Sequence, residues 1–234
     1  MDFAAAITGV LGIDHGAQAL EFEGEWRSWG DLAGAMARIG AALDSAGAPE
    51  AARVGVLLRN HADLVPVLLS LFSSNLCLAS LNAVSPDNKL AEDIGNAAVP
   101  VLVMLESDWQ RHDLREAAER TGAAVVVVED GSAELTMEGN PALWSKAEAP
   151  GIAIEMLSSG TTGTPKRIPL PRRNLEKALA GAAAFEKGRD ASAPPKLRSG
   201  VQIVTAPLAH IAGITGLMNN LLGGRKICLI ERFT

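Results

Sequence analysis

Short apolar runs alternate with longer amphipathic stretches along most of this chain, and this alternation limits the folds that it can adopt. Val54–Leu58, Leu76–Leu81, Val99–Met104, Ala123–Val128 and Ile152–Leu157 consist almost entirely of apolar residues. Strands of this kind are typical of parallel sheets whose two faces are both covered by helices. We therefore predict an α/β fold, with layered and mostly parallel sheets flanked by helices.

Periodicity and turn residues predict the other elements. Gln18–Phe22 and Glu25–Trp29 predict a hairpin, and apolar side chains at helical spacing predict a helix over Asp31–Ala46. Asn60 is a predicted helix N-cap, with Asp63 at the capping-box position. The remaining predictions are helices ending near Phe72 and Leu222 and over Asp87–Asn96, Trp109–Thr121 and Arg173–Phe185, strands over Arg167–Leu170, Val201–Thr205 and Lys226–Ile230, and loops over Glu129–Pro150 and Glu186–Gly200.

Composition excludes several classes of protein. The chain is 48% apolar and 21% charged, as is usual for globular proteins, and its net charge of −6 without a basic stripe excludes nucleic acid as a partner. Cys77 and Cys228 form no disulfide or zinc spacing, so we expect a cytoplasmic protein. Leu64–Pro86 carries no charge, but its serines, asparagines and Pro66 argue against a membrane span.

The segment Ser158–Lys166 carries the strongest functional signal. Its nine residues contain two glycines, five hydroxyls and a lysine, and it directly follows the apolar run Ile152–Leu157. Glycines permit turns that aim successive backbone N–H groups at one anion, and the hydroxyls and ammonium add further donors. A P-loop is disfavoured, because two residues rather than four separate Gly160 from Gly163 and Pro165 precedes the lysine.

This segment resembles the phosphate-binding loop of the adenylate-forming (AMP-binding) superfamily, which includes acyl- and aryl-CoA ligases, peptide-synthetase adenylation domains and luciferases. Gly55–Asn60 resembles the family's early strand-to-helix turn, and Asn174 with Leu175 resembles the pair that opens the helix after the loop. Pro207–Gly213 is similar to the family's Pro-Leu-aromatic-His-x-x-Gly segment. The likeness extends from about residue 29 to the last residue.

The resemblance implies activation of a carboxylic acid by ATP and Mg²⁺ as an acyl-adenylate, followed by thioester formation with coenzyme A. Displacement at the α-phosphorus brings two anions together, so catalysis depends on positioning and on donors around the phosphates. Thr161 and Thr162 are the strongest individual candidates. The implied phosphate-binding residues are Ser158, Ser159, Gly160, Thr161, Thr162, Gly163, Thr164 and Lys166.

His210 is the implied catalytic residue. It follows a predicted strand and begins a predicted helix, which places it at the sheet edge where ligands bind in parallel α/β proteins. In the family this histidine lies near the acyl pocket and the α-phosphate; a histidine that only packs or caps the helix is the alternative. His15, His61 and His112 are assigned to loops or helix surfaces, and no metal site is predicted from their spacing.

Other charged residues are assigned structural roles. Glu155 interrupts a strand that should be buried, so it requires either an Arg or Lys partner or a position at the edge of the sheet. Arg172 and Arg173 are predicted to be solvated. Two residues depart from the family pattern: Arg167 replaces the glycine that usually follows the loop lysine, and Ala209 replaces the aromatic residue before the histidine, which predicts a roomier acyl pocket.

The resemblance predicts an incomplete N-terminal AMP-binding domain, with residues 1–55 and 206–234 in a second sheet and 56–205 in the first. The adenine-binding Tyr-Gly-x-Thr-Glu segment, the ribose-binding Asp and the C-terminal lid with its lysine are expected after residue 234. We therefore expect the isolated chain to be inactive, and to form homo-oligomers if apolar surface meant for the missing part is exposed.

Two alternatives to a carboxylate–CoA ligase remain open. An amino-acid-activating adenylation domain would place an Asp in its pocket to hold the substrate ammonium, and that region is mostly absent. A non-catalytic nucleotide-binding or scaffold protein would retain only this half of the fold.

Overall fold

The computed structural model describes residues 2–144, 147–157, 166–184 and 195–231. Their strands form a seven-stranded sheet in the order β7-β6-β5-β3-β4-β8-β9 and a four-stranded sheet in the order β10-β11-β1-β2. The α/β prediction is confirmed.

The larger sheet is parallel through its middle and antiparallel at both edges. Parallel ladders join β3 to β4 and β5, β4 to β8, and β5 to β6, while β7 and β9 pair antiparallel with their neighbours. Its strands are β3 (Arg53–Leu58), β4 (Cys77–Asn82), β5 (Val101–Leu105), β6 (Ala124–Glu129), β7 (Ser132–Met137), β8 (Ile152–Leu157) and β9 (Arg167–Pro171).

The smaller sheet contains β1 (Gln18–Phe22), β2 (Glu25–Ser28), β10 (Val201–Val204) and β11 (Lys226–Leu229). β11 lies parallel to both β1 and β10, and the predicted hairpin of β1 and β2 is confirmed. One correction concerns the sheet boundaries. Residues 201–204 were predicted in the larger sheet but pair with β11, and the larger sheet already begins at Arg53 rather than residue 56.

Eight α-helices connect the strands of the described residues. Their bounds are α1 (Phe3–Leu11), α2 (Trp29–Ser45), α3 (Leu64–Ser73), α4 (Asp87–Ala97), α5 (Glu106–Trp109), α6 (His112–Thr121), α7 (Arg172–Ala184) and α8 (Ile211–Leu222), with a 3-10 helix at Pro141–Leu143. The single helix predicted over Trp109–Thr121 is corrected to α5 and α6, because Arg111 adopts an extended conformation between them.

Alternation of side chains along the inner strands produces two cores. Val54, Val56 and Leu58 of β3 join a core that also contains residues of both sheets and of α1, α2, α3, α7 and α8. Leu57 points the other way, into a core with α4 and α6. Burial on both faces explains the uniformly apolar runs of the sequence.

The loop predicted over Glu129–Pro150 is wrong, since it contains β7. Asp130 and Gly131 both have positive φ and turn the chain back, so that Ser132–Met137 pairs with β6. Asp-Gly is a preferred pair for such two-residue hairpin turns.

Candidate functional site at the carboxyl edge of the larger sheet

The hydroxyl-rich segment begins where β8 ends and returns to the sheet at β9. Leu157 and Arg167 are paired across these two strands, so the residues that flank the nine-residue segment 158–166 lie side by side. Ser158, Ser159, Gly160, Thr161, Thr162, Gly163 and Thr164 lie outside the described residues, and their roles remain predictions. Lys166 is exposed immediately before β9.

Arg167, one of the two residues that depart from the family pattern, is the first residue of β9, and its side chain reaches across β8 to β4. Its Nη1 donates to the carbonyl oxygen of Ser80 at 3.2 Å, beyond the last paired residues of the β4–β8 ladder, Ala79 and Glu155. Its Nη2 is buried and has no hydrogen-bond partner among the described residues. Burial, followed by the positive charge of Arg53, lowers the pKa of Arg167.

His210 lies exposed between β10 and α8, directly before the helix. Its backbone N–H donates to the Pro207 carbonyl oxygen at 2.9 Å, and its own carbonyl accepts from Gly213 at 3.0 Å. A Cβ at Gly213 would lie 2.2 Å from the Pro207 oxygen, so only glycine permits this close approach of helix and turn. The predicted position of His210, after a strand and before a helix, is confirmed.

Ser80 connects the two segments that sequence reasoning singled out. Its carbonyl oxygen accepts from Arg167, one residue after Lys166, and its hydroxyl donates to the Ala209 carbonyl oxygen at 3.4 Å, one residue before His210. The base of the hydroxyl-rich loop and the His210 turn therefore meet at the end of β4. Sequence reasoning missed Ser80, because a serine in an apolar strand carries no distinctive signal.

Asn60 does not cap a helix, and this prediction is corrected. The N-cap of α3 is Asp63, which makes no side-chain capping bond. Asn60 instead accepts from the backbone N–H of Leu208 at 2.8 Å and donates to the carbonyl oxygens of Ile230 at 2.8 Å and Ala206 at 3.5 Å. Long-range backbone partners thus replace the local cap.

Asp63 forms a second link between the sheets. Its carboxylate accepts from Arg27 of β2 and from the backbone N–H groups of Asp130 and Gly131. Although burial raises the pKa of Asp63, the hydrogen bonds from Arg27 and Gly131 outweigh it, and the pKa lies below its ordinary value. The same surroundings affect His61, whose pKa is lowered chiefly by burial.

Glu155 has a basic partner, as one of the two predicted possibilities required, and this partner is Arg53. The Arg53 Nε donates to Glu155 Oε2 at 3.0 Å, and the two side chains are only 6% and 15% exposed. The prediction that Arg172 is solvated is wrong. Its guanidinium donates to the carbonyl oxygens of Phe72 at 2.7 Å and Leu76 at 3.1 Å. Arg173 is exposed.

A charged cluster that the sequence analysis did not predict lies at the same edge. Asp108, which is fully buried in α5, accepts from Arg59 and from Arg111, the latter at 2.8 Å, and Arg111 also pairs with Asp87. The second carboxylate oxygen of Asp108 has no hydrogen-bond partner among the described residues. The position of Arg59, directly after the apolar strand β3, was the one sequence feature that pointed to a charged residue at this edge.

The described residues contain no group of three metal-ligating side chains and no helix that is long and apolar enough to span a bilayer.

In open α/β sheets, ligands bind in the crevice outside the carboxyl ends of the strands, which is where the base of the hydroxyl-rich segment and the His210 turn meet. The family model of AMP-binding enzymes matches residues 13–234, so the chain belongs to the AMP-binding enzyme family.

Individual relatives are distant. The hybrid PKS-NRPS synthetase iccA of Talaromyces variabilis is 28% identical over 162 residues, which are 69% of this chain and 4% of that protein. ATP-bound MatB from Rhodopseudomonas palustris shares the fold with a TM-score of 0.76 and 20% identity, over 100% of this chain and 46% of that chain.

A putative long-chain-fatty-acid CoA ligase from the same organism has a TM-score of 0.76 and 16% identity, over 100% of this chain and 58% of that one. The chain thus spans about half the length of these structural neighbours and a small part of the curated relative.

Proposed function

We propose that the protein activates a carboxylic acid with ATP as an acyl-adenylate and then transfers the acyl group to coenzyme A. The observation that carries this proposal is the meeting of the loop base and the His210 turn at Ser80. A phosphate-binding loop and a residue for the acid must lie at one place for a carboxylate to reach the α-phosphorus.

In this proposal each segment has its own task. The hydroxyls and backbone N–H groups of Ser158–Thr164, together with Lys166, bind the β- and γ-phosphates and stabilise the charge of the departing pyrophosphate. The carboxylate oxygen attacks the α-phosphorus, a new P–O bond forms, and the bond to pyrophosphate breaks. His210 orients the carboxylate. Mg²⁺ would bind with the triphosphate and neutralise part of its charge.

The acyl acceptor distinguishes the leading function from its alternative. The fold shared with a putative CoA ligase favours coenzyme A, whereas similarity to a hybrid PKS-NRPS synthetase favours an amino-acid-activating domain. Ala209, where the family has an aromatic residue, supports a pocket for a larger acyl group. The free thiols of Cys77 and Cys228 accord with a reducing, cytoplasmic location.

The test is acid-dependent exchange of labelled pyrophosphate into ATP by the full-length protein, with fatty, aromatic and amino acids compared. We expect exchange with a fatty or aromatic acid, and release of an acyl-CoA when coenzyme A is added. Exchange with amino acids alone would favour the alternative, and no exchange with any acid would contradict adenylation.

The loop is tested separately with the double variant Thr161→Ala, Thr162→Ala. Loss of two phosphate donors should lower kcat/KM for ATP roughly a hundredfold. Thr136→Ala is the matched control, because this threonine lies on the edge strand β7. Equal activity of the two proteins would exclude the loop as the phosphate site.

A further inference from the structure

Two side chains at the carboxyl edge of the larger sheet hold the backbone immediately before His210. Asn60, which follows β3 and is 4% exposed, binds the turn at Leu208 and Ala206 and also binds the end of the neighbouring strand at Ile230. Ser80 of β4, also 4% exposed, binds it at Ala209. The turn between β10 and α8 is therefore fixed by residues outside its own sheet.

Both polar atoms of the Asn60 amide take part in these bonds. Its oxygen accepts from Leu208 while its nitrogen donates to two carbonyl groups that precede and follow α8. A carboxylate would repel both carbonyl oxygens, and a shorter side chain would not reach them. Removing the amide would leave a buried N–H of Leu208 without this partner, and such a group favours a shift of the backbone.

A shift of this turn would move His210 itself. Its N–H is bound to Pro207, and its carbonyl is bound to the first turn of α8, so the residue follows the backbone of 206–209. Gly213 packs against the same backbone and leaves little room for independent adjustment.

We propose that Asn60, assisted by Ser80, is a positioning residue that sets where the imidazole of His210 stands relative to the carboxyl ends of β3 and β4. The inference rests on the proposed role of His210 in adenylation. Neither side chain needs to contact the acid or ATP for this role.

A double-mutant cycle in the full-length protein separates positioning from a general loss of structure. Pyrophosphate exchange is measured for the wild type, Asn60→Ala, His210→Ala and the double variant, with the acid that the wild type uses best. Asn60→Ala should lower kcat roughly tenfold or more, since small misplacements of catalytic groups have effects of this size. The KM for ATP should change by less than about twofold, because neither Asn60 nor the turn that it holds is proposed to bind the triphosphate.

The decisive comparison is the effect of Asn60→Ala once His210 is absent. If Asn60 acts through His210, the second substitution should lower kcat by less than about twofold in the His210→Ala protein. An equal loss in both backgrounds would overturn the proposal. So would a His210→Ala protein with full activity; in that case adenylation itself would still stand if the Thr161 and Thr162 variant had lost exchange.

Ser80→Ala provides a second cycle if Asn60→Ala does not fold. It removes one longer bond, and we expect a smaller loss of kcat, about threefold, that again disappears in the His210→Ala background. Full additivity would overturn the proposal here as well.

Asn220→Ala is the matched control. Asn220 donates to the Gly216 carbonyl oxygen at 2.8 Å within α8 and does not bind the turn. Its substitution should leave kcat unchanged, whereas a loss as large as that of Asn60→Ala would show that any lost hydrogen bond around this helix has the same effect.

Discussion

Strands β3, β4, β5 and β6 of the seven-stranded sheet are buried along nearly their whole length, whereas β10 of the four-stranded sheet has three exposed residues out of four. Ile154 of β8 is fully buried, and Ile203 of β10 is 62% exposed. The larger sheet is held by apolar burial on two faces. The smaller sheet shares one of these cores through Leu20, Ile227 and Leu229. It is also tied to the larger sheet by polar contacts of Asn60, Ser80 and Asp63.

The more buried sheet provides the scaffold, and the less buried sheet carries the turn of the candidate site. Apolar packing is tolerant of direction, but hydrogen bonds to named backbone atoms fix a turn in one orientation. The residue that we propose to act on the acid therefore lies on the less buried part, and its position is specified by the more buried part.

The largest difference is expected from the same substitution in the two sheets. Ile154→Ala should reduce the free energy of unfolding by about 2–5 kcal/mol, because it creates a cavity in a closed core. Ile203→Ala should reduce it by less than about 0.5 kcal/mol, as for other exposed sites. Urea denaturation of the purified protein measures both. Equal losses would show that another part of the protein or a second copy covers β10.

Glycine substitutions compare the turn with the scaffold. Gly213→Ala brings a Cβ against the backbone of Pro207, whereas Gly55→Ala meets the mobile ends of Leu102 and Val99 at 2.7 and 3.0 Å. We expect Gly213→Ala to be less stable by about 3 kcal/mol and Gly55→Ala by about 1 kcal/mol, within the range for overpacking. Thermal or urea unfolding gives the order, and a reversed order would contradict the tight turn.

The ion pair between the sheets predicts a pH dependence. The folded-state pKa of Asp63 is lowered, so its contribution to stability is present above the unfolded pKa of about 3.9 and is lost as pH falls through the lower, folded value. Asp63→Asn should reduce stability by about 2 kcal/mol at pH 7.

The measurement is the difference in unfolding free energy between wild type and Asp63→Asn from pH 7 to pH 3. This difference should be constant down to about pH 4 and then shrink. A constant difference over the whole range would mean that Asp63 does not titrate with folding.

The smallest structural effect is expected at the two cysteines, one in each sheet. Burial raises the pKa of Cys77 to about 12, and the hydrogen bond to Glu21 raises the pKa of Cys228 to about 11. Glu21→Gln should lower the pKa of Cys228 and speed its alkylation at pH 8, because more thiolate is then present.

Alkylation of Cys77 should stay slow in both proteins, and stability should change by less than about 0.5 kcal/mol. Mass spectrometry of iodoacetamide-treated samples reports each site. Unchanged labelling of Cys228 would exclude control by Glu21.

Much of the larger sheet was predictable, because strands that are buried on both faces consist almost entirely of apolar residues and stand out in the sequence. The strand β7 was missed although Asp130 and Gly131 are a hairpin signal, since its alternating Ser132–Met137 face is half exposed and lacks an apolar run. Asn60 was misread as a cap because local spacing fits a capping box, while its partners lie about 150 residues away in the chain.

The motifs of the candidate site were predictable from the sequence, but the place where they meet was not. The hydroxyl-rich loop and His210 stand out by composition and order, and the resemblance assigned both. The residues next to them, Arg167 and Ala209, both bind Ser80, and no local sequence pattern records this long-range meeting. Arg172 likewise looked solvated because its carbonyl partners belong to α3 and the residues after it.

The most direct test of the central claim is a structure of the full-length protein with ATP. The account predicts that the β- and γ-phosphates lie within hydrogen-bonding distance of the hydroxyls of Thr161 and Thr162 and of the Lys166 ammonium, with the α-phosphate on the side of His210. A triphosphate bound at another edge, with Ser158–Lys166 turned to solvent, would contradict it.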